Sequence, residues 1–163
     1  FATSHAYLRE ESRGVAAEAP WPCDFGIDLS RGFAALGVWM LLKEMGTQRL
    51  GDAIYRNCRQ AAWLGKQLEA LPQFELLAPV SLNIVCFRFA PAGPGEHQLD
   101  RLNRDILVAL HCEGIAVPSA TQIGGKTAIR VCITNHRTRQ DDLQTLIDAV
   151  VEVGTRMLAA DGA

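Results

Sequence analysis

From Leu29 onward the apolar residues repeatedly change period, from helical spacing to strand alternation and back, and this constrains the fold more than any other feature of the 163-residue sequence. Leu29, Phe33, Leu36 and Met40 recur every three to four residues, which predicts a helix over 29–45. Gly46 is a plausible stop and Thr47 the next N-cap. Leu50, Ile54, Ala61, Leu64 and Leu68 then define a second helix over about 47–71, which Pro72 ends because proline lacks an amide donor. Strands follow at 74–77 and 82–89, the second rich in β-branched and aromatic residues. After the Pro91–Gly95 loop, Leu99, Leu102, Ile106 and Leu110 predict a helix over 96–113.

Ile115–Val117 reads as a short strand, and Gly124-Gly125 as a tight turn. Over 127–134, Ile129, Val131 and Ile133 point one way and Ala128, Arg130 and Cys132 the other. Thr138 and Asp141 resemble a capping box ahead of a last helix over 139–160. The order is coil-α-α-β-β-α-β-β-α. It predicts a two-layer α+β domain with a small, mainly antiparallel sheet and its helices on one face. Residues 1–28 show no sustained period, so the chain divides into a leader (1–28), bridging helices (29–72) and an α+β domain (73–163).

Sixteen basic against eighteen acidic residues give a net charge of −2, which offers no basic field for a nucleic acid. The longest apolar runs, such as Ile84-Val85-Cys86, fall far short of the roughly 20 residues of a membrane span. Five widely spaced cysteines (23, 58, 86, 112 and 132) form no C-x-x-C pair. Cys58, Cys86 and Cys132 lie in apolar segments, where a free thiol acts as a small hydrophobe, and a reducing, cytoplasmic setting is expected. His5, His97, His111 and His136 have no helical metal-site spacing, so no metal site is expected. Gly124-Gly125-Lys126-Thr127 imitates only the tail of a phosphate loop, and no nucleophile elbow occurs. The chain opens with Phe1 instead of Met, as expected of a processed chain or a piece of a longer one.

Arg130 stands in the apolar run Ala128-Ile129-Arg130-Val131-Cys132-Ile133. A charge there is costly unless paired. Two readings stay open: an arginine on the uncovered face tied to a structural acid, or a clamp whose planar fork receives a carboxylate. Tyr7, beside His5 in the leader, is one of only two tyrosines; an exposed tyrosine is usually nothing more than that.

Three segments carry a resemblance. Asp28–Met40 (DLSRGFAALGVWM) is similar to the pattern L-[GS]-R-R-F-x-x-L-K-x-W of group II pyridoxal-phosphate-dependent decarboxylases, the aromatic-amino-acid, histidine and glutamate decarboxylase relatives. Asn83–Phe89 (NIVCFRF) resembles that family's L-V-C-F-R strand, and Ala128–Ile133 its later L-R-F-x-I strand. Order and spacing agree in all three.

The resemblance implies a C-terminal α+β domain of the pyridoxal-phosphate fold-type-I architecture. It also implies a decarboxylase that releases carbon dioxide from an aromatic or similar L-amino acid, the cofactor pyridoxal 5'-phosphate, and a homodimer. Phe1–Leu8 matches the family's mobile active-site loop, which places Tyr7 where a loop tyrosine protonates the carbon that has lost carbon dioxide. Ser30 falls at a substrate-pocket position that is Gly or Ser among relatives, and Arg31 matches the family's next residue, while Gly32 departs from its usual Arg. Arg130 matches an arginine associated with the substrate carboxylate in glutamate decarboxylases. The family's cofactor lysine follows a histidine, and no His-Lys dipeptide occurs among Lys43, Lys66 and Lys126. The cofactor-binding residues are therefore expected outside this chain, and the chain alone is expected to be inactive. Its apolar surface around Phe33, Trp39 and Trp63 would then support self-association. The competing expectations are a stand-alone α+β binding module and the C-terminal domain of a different fold-type-I enzyme; the Leu29–Phe33 and Asn83–Phe89 matches argue against the latter.

Overall fold

The computed structural model describes residues 32–161. Three helices, α1 (Ala34–Glu69), α2 (Glu96–Cys112) and α3 (Gln140–Asp161), accompany four strands: β1 (Phe74–Leu76), β2 (Ile84–Phe89), β3 (Ser119–Ile123) and β4 (Lys126–Cys132). The fold is the expected small α+β domain with an antiparallel sheet, in strand order β1-β2-β4-β3.

α1 is interrupted at Gly46, whose φ of 71° and ψ of 166° lie where only glycine is unstrained. The interruption marks a boundary between two units, one ending at Gly46 and one beginning at Thr47. In the first unit, the Lys43 ammonium lies 5.9 Å from the centroid of the Trp39 ring. Phe33 and Trp39 are 72% and 58% exposed there.

The second unit is built on strand parity. The register pairs Val85 with Val131 and Phe87 with Ile129. These residues point to one face and join Leu64 and Leu68 of α1, Ile106 and Leu110 of α2, and Ile147 and Val150 of α3 in a single buried core. The alternate residues Cys86, Arg88, Ala128, Arg130 and Cys132 occupy the other face. β3 and β4 join through Gly124-Gly125, whose φ values of 58° and 81° suit a two-residue hairpin turn.

Side chains of α2 end the β2–β4 ladder. The last pair of that ladder is Phe87 with Ile129. Beyond it, Phe89 turns to Asn103, and the Thr127 amide donates to Asp100 Oδ1 at 2.6 Å. The ends of both strands are thus bonded to one helix, which fixes their separation.

Four local expectations are corrected. Residues 115–117 are not a strand; pairing starts at Ser119, where β3 can reach β4. β2 begins at Ile84 because Leu82 has a φ of 53°, which breaks the extended run. At the start of α3 the Arg139 amide donates to Asp142 Oδ2, one residue beyond the expected Asp141. Cys132 is also exposed, so it packs no core, whereas Cys58 and Cys86 are half-buried.

Candidate functional site

The sheet face turned away from the helices carries two arginines, and the structure treats them differently. Arg88, on β2, is 2% exposed. Its Nε donates to Glu75 Oε2 at 2.6 Å, and Nη1 and Nη2 donate to Glu96 Oε2 and Oε1 at 2.7 and 3.0 Å. Lys126 donates to Glu75 Oε1 at 2.7 Å. Two cations and two carboxylates thus form a closed, neutral set. The hydrogen bond from Lys126, followed by the one from Arg88, holds the Glu75 carboxyl below its ordinary value against the opposing effect of burial. The bond from Arg88 does the same for Glu96. The charge of Arg88 is consumed by structure.

Arg130, on β4, is half-buried, and among the described residues no carboxylate pairs with it. Its register partners are Cys86 on β2 and Ser119 on β3. The Ser119 hydroxyl donates to the Arg130 carbonyl at 3.3 Å, and Arg130 Nη1 donates to Ser119 Oγ at 3.5 Å. Burial pushes the Cys86 thiol up, more than the positive charge of Arg130 lowers it, so its neighbour on that side is uncharged at neutral pH. Of the two sequence readings of Arg130, the structural ion pair is absent among the described residues. What the sheet presents is a guanidinium with donors to spare, which can receive a carboxylate.

The other sequence-derived candidates, Tyr7, Ser30 and Arg31, lie outside the described residues. The three lysines are placed elsewhere: Lys43 over Trp39, Lys126 against Glu75, and Lys66 on the exposed side of α1. None of the three follows a histidine, the pairing that the resemblance makes the attachment point of the cofactor. Among the described residues, no group of three or more His, Cys, Asp or Glu could hold a metal ion. No described helix is long and apolar enough to cross a membrane.

Two features escape a reading of the sequence. One is the neutralisation of Arg88; alternation places it on the face of Arg130, but the partners Glu75 and Glu96 are supplied by chain reversals that no local pattern encodes. The other is a groove of about 600 Å³ between α1 and the start of α3, lined by Arg56, Arg59, Trp63, Lys66 and Gln140 among others. Its concavity depends on where α3 lies, which no local pattern encodes.

Residues 1–90 match the model of the pyridoxal-dependent decarboxylase conserved domain. The chain is 28% identical over 138 residues to an aromatic-L-amino-acid decarboxylase of Bacillus atrophaeus, a match covering 84% of this chain and 28% of that protein. It is 32% identical over 110 residues to tyrosine decarboxylase 2 of Arabidopsis thaliana, covering 68% of this chain and 20% of the relative. Among solved structures, the glutamate decarboxylase domain of a Vibrio parahaemolyticus diaminobutyrate-pyruvate transaminase and L-2,4-diaminobutyrate decarboxylase superposes with a TM-score of 0.68 at 30% identity. That match covers 75% of this chain and 26% of that one. The structure of Oryza sativa TDC with PLP shares the fold, with a TM-score of 0.73 at 22% identity over 83% of this chain and 30% of that one. The chain thus spans between a fifth and a third of the length of these relatives.

Proposed function

This chain belongs to the pyridoxal-dependent decarboxylase family, and from that membership we propose that it is the C-terminal portion of an L-amino-acid decarboxylase acting on an aromatic or similar substrate. The observation that carries the reading is the contrast between the two sheet arginines: Arg88 is neutralised by Glu75 and Glu96, while Arg130 keeps its charge available. An amino acid presents a carboxylate that such a fork can hold. The aromatic preference is drawn from the aromatic-L-amino-acid and tyrosine decarboxylases among the relatives.

In this reading the rest of the polypeptide holds pyridoxal phosphate, which serves as the electron sink for loss of carbon dioxide. The residues of this chain do the remaining work. Arg130 anchors and orients the substrate carboxylate. Ser30 and Arg31 line the substrate pocket. Tyr7, protonated at neutral pH because a tyrosine pKa is about 10, delivers a proton to the carbon that has lost carbon dioxide. The reading includes a cytoplasmic homodimer and an inactive isolated chain.

The test is to express the full-length protein, load it with pyridoxal phosphate and measure carbon dioxide and amine from L-tyrosine, L-tryptophan and L-glutamate. The expected result is amine from an aromatic substrate, with Arg130→Met raising KM about 50-fold through loss of a charge-assisted bond. Absence of carbon dioxide from every amino acid would sink the reading. Because the relatives include a phenylacetaldehyde synthase, the assay must separate amine from aldehyde.

A further inference from the structure

We infer that Ser119 is a positioning residue, which holds the Arg130 guanidinium in the orientation that receives the substrate carboxylate; this rests on the reading of Arg130 given above. Arginine carries a long, freely rotating stem, and without a partner its fork samples many orientations. Arg88 is fixed by two carboxylates, but that solution would consume the charge Arg130 needs. A neutral acceptor fixes the side chain without neutralising it. Ser119 provides one from the directly opposite register position on β3, where the two side chains leave the same face of the sheet.

The hydrogen-bond polarity supports this assignment. A serine hydroxyl has one proton and two lone pairs. That proton is directed to the Arg130 carbonyl at 3.3 Å, so the oxygen meets Nη1, at 3.5 Å, as an acceptor. One guanidinium N–H is thereby engaged and the others stay open for a carboxylate. On the opposite side, Cys86 is the register partner from β2 and contributes no charge, since burial favours its neutral thiol. Arg130 is thus bracketed by two uncharged residues, one of which can orient it. β3 is an edge strand, and Ser119, its first residue, is exposed, so the hydroxyl is not held there by core packing.

The experiment uses the full-length holoenzyme with its best amino-acid substrate. Ser119→Ala is expected to raise KM about fivefold, as loss of one orienting hydrogen bond should. It should leave kcat within about twofold and the inhibition constant of the amine product, which lacks the carboxylate, unchanged. Ser119→Thr, which keeps the hydroxyl, should restore KM. Arg130→Met serves as the reference and should show the same selective loss, several times larger. Unchanged KM in Ser119→Ala, with Arg130→Met impaired, would overturn the positioning role and leave Arg130 as the anchor. Unchanged KM in Arg130→Met would overturn both. A parallel rise in KM and in the amine's inhibition constant would show that Ser119 acts on the pocket at large and would likewise overturn the proposal. Should Ser119→Ala fail to fold, Ser119→Cys carries the same test: it keeps the size, weakens the acceptor and should behave as Ala is expected to.

Discussion

Arg88 and Glu96 meet fork to fork, with Nη1–Oε2 at 2.7 Å and Nη2–Oε1 at 3.0 Å, although one side chain is nearly inaccessible to solvent and the other is 65% exposed. That asymmetry fixes which partner can be removed cheaply. In Arg88→Met the freed carboxylates of Glu75 and Glu96 can turn to water, so the expected loss is about 1–2 kcal/mol. In the double variant Glu75→Gln/Glu96→Gln the guanidinium stays buried with no countercharge. Urea unfolding should therefore show the double variant to be less stable than Arg88→Met. The opposite order would mean that the acids do not hold Arg88 in place.

The same carboxylates set an acid limit on stability. Glu75, Glu96 and Asp100 all have folded-state values below their ordinary 4.5, 4.5 and 3.8; for Glu75 the principal cause is Lys126, for Glu96 it is Arg88, and for Asp100 it is the backbone amide of Thr127. A carboxyl with a lowered folded value binds fewer protons than in the unfolded chain. Its contribution is present above about pH 4.5 and is lost as pH falls through the folded value. Unfolding free energy measured from pH 6 to pH 3 should decline below about pH 4.5. The decline should be shallower in Glu75→Gln, and an identical slope in both proteins would refute the assignment.

Asn103 is fully buried, and both polar atoms of its carboxamide are hydrogen-bonded. It accepts from the Phe89 amide at 2.8 Å and donates to the carbonyls of Phe89 and Leu99 at 2.9 and 2.8 Å. Leucine would fill a similar volume but leave both main-chain groups of Phe89 without partners. Asn103→Leu is expected to cost about 3 kcal/mol. Chemical denaturation of the variant measures this, and amide exchange at Phe89 should quicken.

The legible part of this fold is the part governed by local period. Parity alone sorted Ile129 and Val131 from Ala128 and Arg130, and the register across β2 preserves that sorting. Gly124-Gly125 and Gly46 announced a hairpin and a helix break because both need positive φ. The illegible part depends on encounters between distant segments. Nothing near Asn103 in the sequence says that it meets Phe89, and nothing near Arg88 says that Glu75 and Glu96 will neutralise it while Arg130 has no carboxylate partner among the described residues. The 115–117 run has the composition of a strand, yet a strand exists only where a partner lies alongside. The candidate site inherits this division: Arg130 could be singled out from its apolar neighbours, whereas Ser119 acquires meaning only from the β3–β4 register.

Tyr7 offers the most direct test of the chemistry. If its hydroxyl supplies the proton that completes decarboxylation, Tyr7→Phe in the full-length enzyme removes the donor while keeping the ring. Pyridoxal phosphate absorbance and substrate KM should stay near those of the parent enzyme, because neither cofactor attachment nor carboxylate anchoring uses this hydroxyl. Amine output should fall at least about 100-fold, the scale of a lost general acid. Carbon dioxide release should fall less, since bond cleavage precedes protonation, so the ratio of amine to carbon dioxide is the discriminating quantity. A variant that keeps that ratio and its amine output would remove Tyr7 from the reaction and leave Arg130 to stand on its own test.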